Sequence, residues 1–503
     1  MRRRDLLVGA GGAFGASLWP FAARASSPWG SAPAEAATEL LGAGARAERC
    51  LELFLYGGLA PFESFYVVED YGRPEDPDFP NQQWYLFDGL HEPAFGRDCG
   101  FGEASSWLSP FALDALGKQV MLGPVVSAFK ARPDILARMR VVVTRHELEP
   151  HEAAIPYMLG GQRLGNPRLC GLGAHVQRYF AERSEPRIAP YSYVFLPNND
   201  FSTDNVRAAH SVGMHPGSAR PLLLKVTGND DLDALLGRLH LTEPERAQSD
   251  ALLALYRARA SSAYTSKGVP LRAPNLVDHD FALQNLANSQ ALAAVLGGDL
   301  LAAFEAASCA DSTTAYKSGI GLRAGVRLLT HPTEPARYVN VIDTGVLLAD
   351  GGGGYDTHFE HTFTQATNTN AVLAELAASI NEPGEGDPNK LDLDDTLVAL
   401  TTEFGRTPFA QGARGTNHHP YGFVNVLIGG PIGEDQAGVY GAIGPDGNAV
   451  TYATPGELRA AMLVAMGIYP FAPESFAVGD VPGVQSELDG LVFLRDVVLG
   501  RQG

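Results

Sequence analysis

Thr396-Leu397-Val398-Ala399-Leu400 is an apolar run with no charge, glycine or proline in it. A strand that is wet on one face alternates polar and apolar residues. An unbroken run reads as a strand covered on both faces, as in a parallel sheet between two helical layers. Such sheets keep their ligands beyond the carboxyl ends of the strands. Here the run leads into Thr401-Thr402-Glu403-Phe404-Gly405-Arg406-Thr407-Pro408 and then Gly415-Thr416-Asn417-His418-His419. A carboxylate, a guanidinium and two imidazoles therefore follow a buried strand directly.

A second polar segment has the same position relative to a strand. Residues 336–343, with Tyr338-Val339-Asn340-Val341-Ile342-Asp343 at their core, read as a strand. They lead to Gly351-Gly352-Gly353-Gly354-Tyr355-Asp356-Thr357-His358, with His361 just beyond. In extended chain, residues two apart share a face, so Asp356 and His358 can serve one centre. A carboxylate oxygen and imidazole nitrogens form a normal ligand set for zinc and similar divalent ions. The glycines permit sharp bends and close approach of the backbone.

A third polar segment follows the apolar strand 139–144. It is Arg145-His146-Glu147-Leu148-Glu149-Pro150-His151-Glu152. His151 is a candidate for holding a substrate oxygen or a metal, and His146 a lesser one; a solvated charged turn is the structural alternative. Further strands are expected at 50–56, 191–196 and 423–428. Their alternation with helical stretches indicates a parallel sheet with helices on both faces.

From 230 to 330 the pattern is helical. Thr242-Glu243-Pro244-Glu245 has the form of a capping box and opens a helix to about residue 264. Another helix is expected over 281–296. This region reads as a helical insertion, either structural or a lid over the sheet. Val372, Leu373, Leu376, Ala377 and Ile380 mark one apolar helical face after the Asp356 segment. Thr454-Pro455-Gly456-Glu457 is a second capping box.

The start of the chain has a different character. Arg2-Arg3-Arg4 precedes Leu6-Leu7 and a glycine- and alanine-rich stretch to Trp19, and Ala23-Arg24-Ala25 has a small-x-small form. Residues 1–25 thus read as a twin-arginine-type signal peptide, 26–48 as a flexible leader, and 49–500 as one α/β domain. The expected location is exported, periplasmic or extracellular, with no membrane span once the signal is removed. A formal net charge of −19, with no basic stripe after the signal, argues against a nucleic-acid partner. Cys50, Cys99, Cys170 and Cys309 lack metal-ligand spacing.

Taken together, these segments resemble the exported bacterial family of domain of unknown function 1501, placed in the alkaline phosphatase and sulfatase superfamily. The family's G-G-W-D-T-H, T-E-F-G-R-T and G-T-D-H-G segments correspond to Gly353–His358, Thr402–Thr407 and Gly415–His419. The early strand ending Leu55-Tyr56-Gly57-Gly58 and the later Gly438-Val439-Tyr440-Gly441 extend the match. The resemblance implies an alkaline-phosphatase-like α/β fold and metal-dependent hydrolysis of phosphate or sulfate esters. It implies a divalent metal, zinc above all, held by Asp356, His358 or His361, and His418, with Glu403 at a second metal position. It places Ser64 as nucleophile and leaves Arg406 to clamp a tetrahedral oxyanion, so the implied partner is a small anionic ester.

The chain also departs from the pattern. Ala60 stands where the superfamily has its first metal-binding aspartate, with Glu63 as a shifted substitute. Phe404 cannot ligate, Asn417 replaces an aspartate and His419 a glycine. The absence of a C-x-P-x-R segment favours phosphate over sulfate. The departures support an alternative, a non-catalytic member that binds a ligand or partner outside the cytoplasm.

Overall fold

The structure is a computed structural model. It describes residues 34–71, 101–163, 171–183, 193–196, 222–224, 242–266, 317–347, 354–409 and 415–501, less a few positions inside those ranges, with 295, 296, 300 and 411 besides. The signal segment, most of the glycine run before Gly354, the helix expected over 281–296, and Cys99, Cys170 and Cys309 lie outside the described residues.

Eight strands form one sheet: β1 Arg49–Leu55, β2 Met139–Thr144, β3 Tyr193–Leu196, β4 Leu222–Leu223, β5 Tyr338–Asp343, β6 Thr396–Thr401, β7 Phe423–Gly429 and β8 Gly438–Tyr440. Their spatial order is β8-β2-β7-β6-β1-β5-β3-β4. β1 lies at the centre, parallel to β5 and β6, with Leu55 opposite Asp343 and Phe54 opposite Thr401. The mainly parallel α/β architecture expected from the apolar runs is present. β7 is the exception and runs antiparallel to both β6 and β2. The cause lies between β6 and β7. There the described chain forms no helix, only a short antiparallel pair, Gly405–Arg406 with His418–His419. A short antiparallel pair in place of a crossover helix lets the chain re-enter the sheet in the opposite direction.

Helices cover both faces. On one, Lys317–Leu329 and His361–Ala378 pack against the leucines and valines at alternate positions of β1, β5 and β6. The expected apolar positions Val372, Leu373, Leu376, Ala377 and Ile380 are all buried there. On the other, Pro455–Ala465 and His151–Gly160 pack against Cys50, Phe54 and Tyr56. The capping box at Thr454 forms in full, and the one at Thr242 only in its carboxylate half. Thr454 accepts from the Glu457 amide while Glu457 accepts from that of Thr454, and the Glu245 carboxylate accepts from the Thr242 amide and hydroxyl at the start of Glu243–Ser266. Among the described residues no helix is long and apolar enough to cross a membrane. The chain is already packed ahead of β1: Ala36, Leu41 and Ala47 are buried.

A buried charge pair ties β1 to the second layer. Glu52 points out of β1 into the core, where both of its oxygens lie 2.7 Å from Arg459 nitrogens; both side chains are fully buried. The Thr401 and Tyr338 hydroxyls also donate to Glu52, and Arg459 donates to the Met158 carbonyl. Burial opposes charge on Glu52, but these donors keep its carboxyl below the usual range. Removing one partner strands the other in the core. We predict that Arg459→Leu costs about 3–5 kcal/mol of stability. The companion Glu52→Leu/Arg459→Leu chain should be more stable than Arg459→Leu alone. Urea unfolding of all three checks this; a single variant as stable as the parent would contradict it.

Candidate metal centre

Four loops meet beyond the strand ends. The turn after β1 brings Gly57, the loop after β2 brings His146 and His151, the loop after β5 brings Asp356 and His358, and the segments around the short pair bring Glu403, Arg406 and His418. Two close approaches set their arrangement. A Cβ on Gly57 would stand 2.2 Å from the Asp356 amide nitrogen, so only glycine fits there, and its φ is +118°. Behind, the polar amino half of helix His361–Ala378 is buried rather than wet. Gln365 donates to the Gly58 and Tyr355 carbonyls, both at 2.9 Å. Asn368 accepts from the Val346 and Leu347 amides and donates to the Gly354 carbonyl. Tyr355 donates to Asp343 at the end of β5 (2.7 Å). These bonds hold the Asp356 loop against the sheet.

Asp356 is the hub. Its Oδ1 lies 3.1 Å from His358 Nε2 and 3.2 Å from His418 Nε2, and its Oδ2 lies 3.3 Å from His151 Nε2. His358 and His418 face each other through Nε2 at 3.3 Å. Ligand atoms about 2.0–2.1 Å from a tetrahedral ion stand about 3.3–3.4 Å apart, so these separations suit a single small cation. His151, Asp356 and His418 each offer an atom within 4.8 Å of the others.

The far sides of two rings are already committed. His151 Nδ1 faces Glu403 Oε1 at 2.9 Å, and His418 Nδ1 faces the Glu149 carbonyl at 2.9 Å. An imidazole that donates through Nδ1 keeps its Nε2 lone pair for a metal, and the outer acceptor fixes the ring. His151 Nε2 is buried and has no hydrogen-bond partner, although Asp356 Oδ2 is close. The two atoms are aimed past one another, as the donors of a shared ion are. The residues therefore fit a divalent cation with an N,N,O set, and with His358 as the most exposed neighbour.

The electrostatics agree. Burial works against a charged Asp356, but His151 and His418 and then the Arg406 charge outweigh it and hold the carboxyl far below its usual range. Burial and the Arg406 charge lower the pKa of His358, which favours the neutral ring. Burial also opposes charge on His151, yet Asp356 and Glu403 on either side lift its pKa to about 9.

The expected residues are thus redistributed. Asp356, His358 and His418 converge. His151, expected at a substrate oxygen, joins them. Glu403, expected as a ligand, stands one shell out: its Oε1 accepts from His151 and from the Gly57 amide (2.8 Å). Arg406 is fully buried and donates to Asp356, the Gly57 carbonyl and the Thr416 carbonyl, so it cannot clamp a substrate oxyanion from there. Ser64 is fully buried and its hydroxyl donates to the Ala60 carbonyl, which turns it away from a nucleophile's task. His361 lies in a separate buried pair. Its Nδ1 meets the Thr357 and Thr416 hydroxyls, and its Nε2 is 3.5 Å from Glu63. His419 is tied to the Gly447 carbonyl.

Two roles were not foreseen. Phe404 stacks on the His418 ring at 4.2 Å between centroids and touches His151 at 5.0 Å, so a residue that cannot ligate forms the floor for two that can. His146 contacts the Glu403 carbonyl through Nε2 at 2.6 Å while Nδ1 accepts from the Leu148 amide. Burial pushes its pKa down to about 4, so it stays a neutral donor.

A family model covers most of this architecture. The model for a protein of unknown function, DUF1501, matches residues 47–472, from the start of β1 past helix Pro455–Ala465. The chain belongs to the DUF1501 family. All four loops of the DUF1501 centre lie inside the matched range. No curated protein and no solved structure matches the chain.

A cation entering this DUF1501 centre has to displace the proton on His151. Below the His151 pKa of about 9, each unit of rising pH removes a competing proton. Zinc affinity should therefore rise by about tenfold per pH unit between about pH 6 and pH 8, and level off above the His151 pKa. Competition against a metallochromic chelator at several pH values measures this. An affinity that does not change over that range would show that no proton is displaced.

Proposed function

We propose that the chain is an exported metal-dependent hydrolase of phosphate or sulfate esters, phosphate favoured, with zinc as the first choice of ion. The observation that supports it is the joint aim of His151, Asp356 and His418 at one point, with Glu403 and the Glu149 carbonyl orienting two of the rings. Three protein ligands leave a position for water or substrate, as in catalytic zinc sites. A bound divalent ion supplies Lewis acidity toward an ester oxygen and makes an associated water more acidic.

The chain's own residues do the rest. Glu403 keeps His151 in the ligating orientation, and Phe404 and Tyr56 pack against that ring. His151 and His418, and then Arg406, keep Asp356 ionised. His358, more exposed than the other three and biased toward its neutral form, is placed to take or return a proton at the mouth. In this reading neither Ser64 nor Arg406 touches the ester, because both are buried and engaged. This reading agrees with the superfamily placement implied by the motifs.

The same two commitments favour a second reading. A member whose Ser64 and Arg406 are both engaged in the fold can bind a ligand or partner protein outside the cytoplasm without turnover. Elemental analysis of natively purified protein, followed by aryl phosphates, phosphodiesters and sulfates assayed with zinc, manganese and calcium, separates the two. The hydrolase reading expects about one divalent ion per chain, lost in Asp356→Ala and kept in Ser64→Ala, and turnover that follows the metal. Metal retention without turnover of any ester transfers the assignment to the binding protein. Absence of metal defeats the hydrolase reading and leaves only a protein that binds a ligand or partner.

Export is a separate proposal and rests on Arg3 and Arg4. Replacing both with Lys should leave uncleaved precursor in the cytoplasm, as fractionation and immunoblotting would reveal. Normal export of that variant would remove the twin-arginine assignment.

A further inference from the structure

We infer that the ester taken at this centre carries an apolar group, aryl above all, seated against a rim of phenylalanines. The inference rests on the metal-centre reading and adds the substrate's second half. Among phenylalanines whose side chains are described, those that are exposed are Phe359 at 54%, Phe363 at 43% and Phe409 at 37%. All three lie on the segments that carry His358 and lead to His418. The others are buried or half-buried.

These two segments are packed together. Phe359 follows His358 directly. A Cβ on Gly415 would stand 1.6 Å from the His358 carbonyl oxygen and 2.7 Å from the Phe359 nitrogen. The Thr416 amide donates to the Thr357 carbonyl at 2.9 Å, and the Gln411 amide to the Gly415 carbonyl at 2.6 Å. Thr407 donates to the Phe409 carbonyl at 3.0 Å, and its amide to Asn417, next to His418, at 3.0 Å. Phe359 and Phe409 therefore stand on neighbouring stretches of backbone, those that carry His358 and lead to His418.

The turn that carries Phe359 is also held in an unusual shape. Glu360, with φ of +42°, is the one non-glycine residue in left-handed backbone among those described. It separates exposed Phe359 from fully buried His361. A side chain rarely accepts that conformation unless its surroundings impose it, and such residues gather at ligand sites. The apolar surface that Phe359 and Phe409 leave in water gains nothing for the fold. A charged centre edged by apolar rings matches a ligand with an anionic head and an apolar body. Inorganic phosphate would leave the rings wet.

Non-hydrolysable probes test this without requiring turnover. Phenylphosphonate and methylphosphonate share the anionic head and differ in the apolar group. Calorimetry on the full chain supplied with zinc should find phenylphosphonate bound about tenfold tighter or more. In Phe359→Ala/Phe409→Ala the preference should fall below about threefold, with methylphosphonate affinity unchanged. Both side chains are exposed, so the variant should keep the parent's melting temperature. Phe359→Leu alone should give an intermediate preference. Equal affinities in the parent, or a preference that survives in the double variant, overturn the rim while leaving the metal centre standing. If neither phosphonate binds, the anionic-ester reading falls and takes this inference with it.

Discussion

The guanidinium of Arg406 joins the loops on which the centre depends. It is fully buried and reaches the Gly57 carbonyl from the first loop, Asp356 from the third and the Thr416 carbonyl from the fourth. A buried cation needs a counter-charge, and Asp356 supplies it, although the Arg406 Nε has no hydrogen-bond partner. The dependence runs both ways. His151 and His418, and then Arg406, keep Asp356 ionised, Arg406 fixes it in place, and ionised Asp356 is what three imidazoles gather around. With both terminal nitrogens of Arg406 engaged, a motif that suggests an oxyanion clamp here ties loops together.

The arrangement around that tie is layered. Asp356, His151 and His418 form the inner set. Glu403, the Glu149 carbonyl and Phe404 orient the rings. His146 and Gln365 hold the backbone that carries these groups. Each layer reduces the freedom of the one inside it, which is how a centre is kept in ligating geometry.

Most of the sheet was legible from apolar runs. The expected strand 139–144 coincides with the observed one and 396–400 falls one residue short of it, because a strand covered on both faces leaves a plain signature. The direction of β7 was not legible, since it depends on what the loop before it fails to form. Asp356, His358, Glu403 and His418 could be named as site residues because they follow strand ends. Their ranks could not. Whether Glu403 meets a cation or meets His151 depends on where the Gly57 amide stands, and that is a tertiary fact. Polar residues such as Gln365 and Asn368 on a helix ordinarily indicate a wet face. Here they are buried because they satisfy loop backbone, which no periodicity reveals.

The candidate ligands His151, Asp356 and His418 come from three loops that are far apart along the chain and close only after the sheet is built. A cation shared by them would act as a cross-link between segments that thermal motion would otherwise separate. It would favour the closed arrangement of the loops by its binding free energy and would bind the unfolded chain far less well. The loops would then be expected to open together, as one cooperative unit released by loss of the ion, while the sheet beneath remained intact.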